Sequence, residues 1–118
     1  MPCFVLNTNL PKEKIPPDFV KSTAELVAKT LGKPLSYIVV HINPDQLMGW
    51  GGGSDPCALA SLMSIGKLGV QENKKHAAAL YKHIEKHLGI PGDRMYISFF
   101  DADKSNVGYT GTTFHDIL

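Results

Sequence analysis

The residue with the most unusual chemical prospects stands second in "MPCFVLNTNLP". Initiator methionine is ordinarily removed ahead of a small residue, and proline qualifies, so Pro2 is expected to become the mature N-terminus. A chain-internal proline nitrogen is an amide without basicity. An N-terminal one is a secondary amine, and α-amino groups titrate at about 7.7 to 8.0. Burial among apolar side chains and a neighbouring cation would each lower that value, leaving a free base at neutral pH. The same proline also suits the first residue of an edge strand, where its missing N–H costs nothing. Position alone leaves both readings open.

Other chemical candidates are weaker. His83 and His87 lie four apart on a helical stretch and could share a metal, but no third ligand is indicated. Lys82, Glu85 and Lys86 beside them mark a solvated face, so no metal is expected. "GWGGGSDP", residues 49–56, is glycine-rich but lacks the GK[ST] ending of a phosphate loop and reads as a flexible loop. Cys3 and Cys57 are too few and too far apart for a disulfide framework or a zinc site, and free thiols fit a reducing compartment.

Composition bounds the partners. The 118 residues are 43% hydrophobic and 19% charged, enough for one globular domain spanning 1–118 with a core of its own. Twelve Lys and Arg against eleven Asp and Glu give a net charge of +1, with no basic stripe, and nucleic acid is not expected as a partner. No stretch has the layout of a secretory signal or the apolar length of a membrane span, which predicts a soluble chain made in the cytosol without membrane insertion.

The elements that must position these residues are legible from pattern. "PPDFVKSTAELVAKTLGKP" reads as a helix capped at Asp18 and ended at Gly32, with Val20, Ala24, Val27 and Leu31 as its apolar stripe. "ENKKHAAALYKHIEKHLGIP" reads likewise, with Asn73 as cap, Ala77, Leu80, Tyr81, Ile84 and Leu88 on one face, and Gly89 then Pro91 at its end. Strands are predicted over 3–8, 37–42, 59–65 and 95–100, with weaker pieces at 107–109 and 113–114. The order is α/β, a doubled βαβ unit with two helices packed on one four-stranded sheet. A shift of 57 positions lays Gly32, Pro34, Ile38 and Val40 on Gly89, Pro91, Met95 and Ile97, and Val27 and Leu31 on Ile84 and Leu88. Both helices then cover one sheet face and leave the other bare. "YIVVHI" and "CFVL" nonetheless read as strands covered on both sides, and a second copy of the chain is the simplest cover.

Blocks in fixed order, "MPCFVLNTNLP", "GKPLSYIVVHINPDQLM", "GGSDPCAL", "SIGKLG", "DRMYISFFD" and "NVGY" followed by "TTF", resemble the macrophage migration inhibitory factor family of the tautomerase superfamily. "HINPDQLM" and "NVGY" favour that branch over D-dopachrome tautomerase. The resemblance implies a homotrimer, with short extra strands pairing between subunits, active sites at subunit boundaries and no cofactor. By position it implies Pro2 as the catalytic base of a keto-enol tautomerase acting on phenylpyruvate-like and, more weakly, dopachrome-type substrates. Lys33 would bind the substrate's carboxylate or carbonyl oxygen, and the Ile65 N–H would be a second oxyanion donor. Tyr96 and Ser98 would arrive from the neighbouring subunit, while Tyr37, Val107, Tyr109 and Phe114 would wall an aromatic substrate.

The resemblance also implies a cytokine, cytoplasmic and secreted without a signal peptide, recognised by CD74 and by chemokine receptors. Lys12 and Asp45 stand for the mammalian arginine and aspartate pair, with the charge kept and the planar fork lost. Ser98 replaces an asparagine of the mammalian pattern, Tyr109 a tryptophan and Met63 a histidine. Ala60 replaces a cysteine, so no CxxC redox chemistry is expected and Cys57 reads as a small buried residue. "HDIL" runs beyond "TTF", either reaching a neighbouring subunit or fraying.

Overall fold

The computed structural model describes all 118 residues, Met1–Leu118. In chain order they form β1 (Cys3–Thr8), α1 (Phe19–Leu31), β2 (Val39–Asn43), β3 (Ala58–Ser64), α2 (Val70–Leu88), β4 (Met95–Asp101), β5 (Gly108–Tyr109), β6 (Thr112–Thr113) and the single turn α3 (Phe114–Ile117). The sheet order is β2-β1-β3-β4, with β1 parallel to β2, β3 parallel to β4, and β1 antiparallel to β3. This is the doubled βαβ unit, its halves joined along β1 and β3.

The 57-residue shift is visible in backbone geometry. Gly32 and Gly89 close α1 and α2 with φ of 66° and 71°, a left-handed conformation that side chains beyond Cα disfavour. Pro34 and Pro91 follow in extended conformation, and each opens one 3-10 turn, Leu35–Tyr37 or Gly92–Arg94, before the strand begins. Tyr37 therefore sits in that turn, and β2 starts at Val39 instead of residue 37. Phe114 likewise opens α3 instead of ending a strand.

Two helix readings are corrected. α2 begins at Val70 with Gly69 as N-cap; Asn73 lies inside the first turn, and its Oδ1 accepts from the Gly69 N–H at 3.2 Å. On α1 the buried face is Phe19, Thr23, Val27, Thr30 and Leu31, while Val20 is 47% exposed, because the larger Phe19 ring takes the inward position. On α2, His76 joins Leu80, Ile84 and Leu88 in the interior.

The core lies between the helices and the sheet face carrying Phe4, Leu6, Ala58, Ala60, Leu62 and Met95. Each large apolar side chain buried there contributes about 1.5–3 kcal/mol of transfer free energy. On the other face the register sets Val39, Cys3, Met63 and Phe100 in one row across four strands, and Asn43, Asn7, Leu59 and Tyr96 in another. Val39, Leu59, Tyr96 and Phe100 are all close to half exposed or more. The chain by itself leaves that apolar face open to water.

Candidate functional site

The site is built where α1 ends. The Lys33 N–H donates to the Ala28 carbonyl at 3.0 Å, completing the helix terminus, and Pro34 then turns the chain toward β2. That geometry throws the half-buried Lys33 side chain across to the end of β3, where Nζ donates to the Ile65 carbonyl. Ile65 enters a tight turn through Gly66 and Lys67, with φ of 75° and 65°. The turn is held from two sides: the Gly66 N–H donates to Asp101 Oδ1 at 2.9 Å, and His76 Nε2 bonds the Lys67 carbonyl at 2.8 Å. A carbonyl only accepts, so Nε2 carries the proton; in the neutral ring Nδ1 then accepts from the Thr30 hydroxyl at 2.9 Å. The Ile65 N–H has no partner within the chain and remains a free donor.

Pro2 is buried at the head of β1, its carbonyl accepting from the Val39 N–H at 3.0 Å. One step beyond the Cys3–Met63 pair, Pro2 is level with Ser64, which pairs with Asp101. Ser64 Oγ is buried without a hydrogen-bond partner. Met1 precedes Pro2, and its α-amine shows what this corner does to a base: burial, then the charge of Lys33, then a hydrogen bond from Lys33 bring it from 8.0 down to about 6. Such an amine is largely neutral at pH 7.

A cavity of about 190 Å³ opens here, lined by Met1, Lys33, Pro34, Tyr37, Phe114 and Leu118. Tyr37 meets Tyr109 edge-on at 5.9 Å and Phe114 at 6.4 Å, and Tyr109 stacks on Phe114 at 5.2 Å and 5°. Val107 is buried and its carbonyl accepts from the Phe114 N–H at 3.0 Å, which fixes that ring. Lys33, Ile65, Tyr37, Val107, Tyr109 and Phe114 thus gather around the head of β1. The arrangement offers one base, one cation, one free N–H and a flat apolar wall, the set an enolisation uses. Larger hollows lie elsewhere: one of about 370 Å³ touches Lys29, Lys67, Lys75 and His76 but holds no base beside a cation at an aromatic wall.

Tyr96 and Ser98 do not reach this corner within the chain. Tyr96 is the second residue of β4 and Ser98 its middle one, five and three residues before Asp101, about 17 and 10 Å along the strand; Tyr96 is 65% exposed and its ring meets Trp50 at 4.5 Å, tilted by 46°. Lys12 and Asp45 meet at that far end of the sheet, the Lys12 N–H donating to Asp45 Oδ2 at 3.3 Å. Cys57 is fully buried. His83 and His87 depart from expectation. Instead of a solvated face they pack on α1, His83 stacking on Phe19 at 5.3 Å and bonding Thr23 Oγ1 at 3.0 Å, since Phe19 turned inward needs a flat neighbour.

Sequence reasoning missed Met1, Pro34 and Leu118 as lining residues and His76 and Asp101 as supports of the Ile65 turn. For Pro34 the signal was present, since a lysine followed by proline at a helix exit fixes where the next turn goes.

The matching family model is macrophage migration inhibitory factor, over residues 1–115. The macrophage migration inhibitory factor homolog of Trichuris trichiura is 50% identical over 114 residues, covering 97% of this chain and all of that one. The macrophage migration inhibitory factor of Rattus norvegicus is 45% identical, covering 97% of this chain and 99% of that one. The solved structure of the Trichinella spiralis factor superposes with a TM-score of 0.93 at 46% identity, covering 95% of this chain and 99% of that chain. On these matches this chain belongs to the macrophage migration inhibitory factor family.

Proposed function

We propose that the chain is a cofactor-free keto-enol tautomerase of phenylpyruvate-like acids, with dopachrome-type compounds as secondary substrates. The observation that carries this reading is the pairing of a depressed amine with Lys33 at the head of β1. Once Met1 is removed, the Pro2 nitrogen is the basic atom of that corner. Its lone pair takes a proton from the carbon between ring and carbonyl, the C–H electrons become the C=C bond, and the carbonyl oxygen takes the negative charge. Lys33 and the free Ile65 N–H stabilise that oxyanion, and the proton returns to oxygen to give the enol. Positioned general-base catalysis supplies about 10²–10⁴-fold in rate, and a single oxyanion donor about 10²–10³-fold.

The same reading includes a homotrimer. Its supports are the apolar sheet face left open and the separation of Tyr96 and Ser98 from Pro2 within one chain, which a neighbour's β4 would remedy. The test is the enol-keto assay with phenylpyruvate on protein whose N-terminal mass shows Pro2 first. The expected result is activity that disappears when an alanine is inserted ahead of Pro2; full activity in that insert would overturn the reading.

A second reading is favoured by Lys12 and Asp45, both exposed and joined far from the cavity through the Lys12 backbone N–H and Asp45 Oδ2. In it the chain, cytoplasmic and exported without a leader, is a ligand of CD74 and chemokine receptors. Receptor ectodomain binding that falls on Asp45→Ala while tautomerase turnover holds would support it; binding unchanged by Asp45→Ala would remove it.

A further inference from the structure

The last residues of the chain, His115–Leu118, were expected either to reach another subunit or to fray. They do neither. The Leu118 N–H donates to the Phe114 carbonyl at 2.9 Å, the Thr112 hydroxyl donates to Asp116 Oδ2 at 2.7 Å, and Lys104 Nζ donates to the Leu118 carbonyl at 3.4 Å. Three separate ties close one helical turn, and the turn delivers Leu118 to the cavity that Met1, Lys33, Tyr37 and Phe114 line. Leu118 is 63% exposed, so its side chain stands at the rim and fills no part of the core. The family match stops at residue 115, and the Trichuris trichiura relative is fully covered by 114 aligned residues, so this wall belongs to an extension.

We infer that the C-terminal turn is a built-in wall of the catalytic cavity and that Leu118 limits the width of the aromatic group it admits. The inference rests on the tautomerase reading for its substrate class, aryl pyruvates. The cavity measures about 190 Å³ with Met1 in place and widens toward Pro2 once Met1 is removed, while Leu118 remains at its mouth. Leu118→Ala removes three side-chain carbons from that mouth and keeps Lys33 and the Ile65 N–H in the chain.

The test compares kcat/KM for phenylpyruvate and for the two-ring indole-3-pyruvate in the Pro2-terminated chain, in Leu118→Ala and in a chain ending at His115. The ratio of indole-3-pyruvate to phenylpyruvate is expected to rise roughly tenfold in both variants, the scale of hydrophobic-pocket discrimination. A turn that merely stiffened the fold would lower both substrates alike and leave the ratio unchanged, which would overturn the inference. Should the parent chain turn over neither acid, the tautomerase reading fails, and the wall is judged by N-terminal labelling with phenyl and naphthyl isothiocyanate, followed by peptide mass. Leu118→Ala speeding the naphthyl reagent over the phenyl one sustains the wall, and equal acceleration removes it.

Discussion

The two βαβ halves leave their helices by the same device and put different residues in it. In the first half the residue between the left-handed glycine and the proline is Lys33, which reaches the Ile65 carbonyl; in the second it is Ile90, fully buried in the core. The 3-10 turns that follow diverge in the same way. Tyr37 turns its ring to the cavity, whereas Arg94 donates to the Pro56 and Asp55 carbonyls at 3.0 and 2.9 Å and ties down a loop. Identical backbone geometry therefore fixes position but not purpose. The first half faces the N-terminal amine, and the second faces a loop that needs anchoring.

Exchanging the contents of the two devices tests this directly, and the largest effect is expected at Lys33. Lys33→Ala should cost roughly 10²–10³-fold in phenylpyruvate turnover with little change in urea midpoint. Ile90→Ala should do the reverse, costing about 2–5 kcal/mol in urea unfolding while kcat/KM per folded molecule holds. Gly32→Ala and Gly89→Ala should each cost about 1–2 kcal/mol from backbone strain, since an added Cβ meets nothing within 4 Å at either position. Only the first of that pair should also slow turnover, because only it displaces Lys33. Arg94→Ala should cost about 1 kcal/mol of stability and spare catalysis, against a several-fold rise in KM without stability loss for Tyr37→Leu, on the scale of lost apolar pocket contact.

The smallest effect concerns the face the two helices share. Burial first, then His87 and Lys86, hold the His83 pKa below its ordinary value, so the folded state prefers the neutral ring. The stability this contributes is present above about pH 6.5, the unfolded value, and is lost as pH falls through the lower folded value. Melting temperature should drop between pH 7 and pH 5, and the drop should shrink in His83→Gln.

Legibility followed physical locality. Gly32 and Gly89 could be read as helix ends because a left-handed residue favours glycine whatever surrounds it. The two βαβ halves, with both helices on one face, followed from the alternation of elements and from handedness, whereas the antiparallel seam of β1 with β3 comes from the register alone. The start of α2 was misplaced because Gly69 carries no side chain to announce a cap, and Asn73 reaches it backwards along four residues. The inward turn of Phe19, the burial of His76 and the packing of the half-buried His83 on Phe19 depend on which helix packs opposite, a relation that no single segment encodes. For the site, the cation, the free N–H and the ring wall came from position in the family pattern. The supports, Asp101 holding Gly66 and His76 holding Lys67, arise from strands and helices distant in sequence. The tail was illegible for another reason: its wall needs Thr112, Lys104 and Phe114 together.

The central claim is that the head of β1 converts an N-terminal amine into a neutral base beside a cation. The most direct measurement is the pH dependence of phenylpyruvate kcat/KM for the Pro2-terminated chain. The account predicts an acid limb, activity rising with pH, with its inflection below 7, under the ordinary α-amine range of about 7.7 to 8.0, and moving upward in the residual activity of Lys33→Ala. An inflection at 8 or above in the parent chain, or one that Lys33→Ala leaves in place, would contradict it.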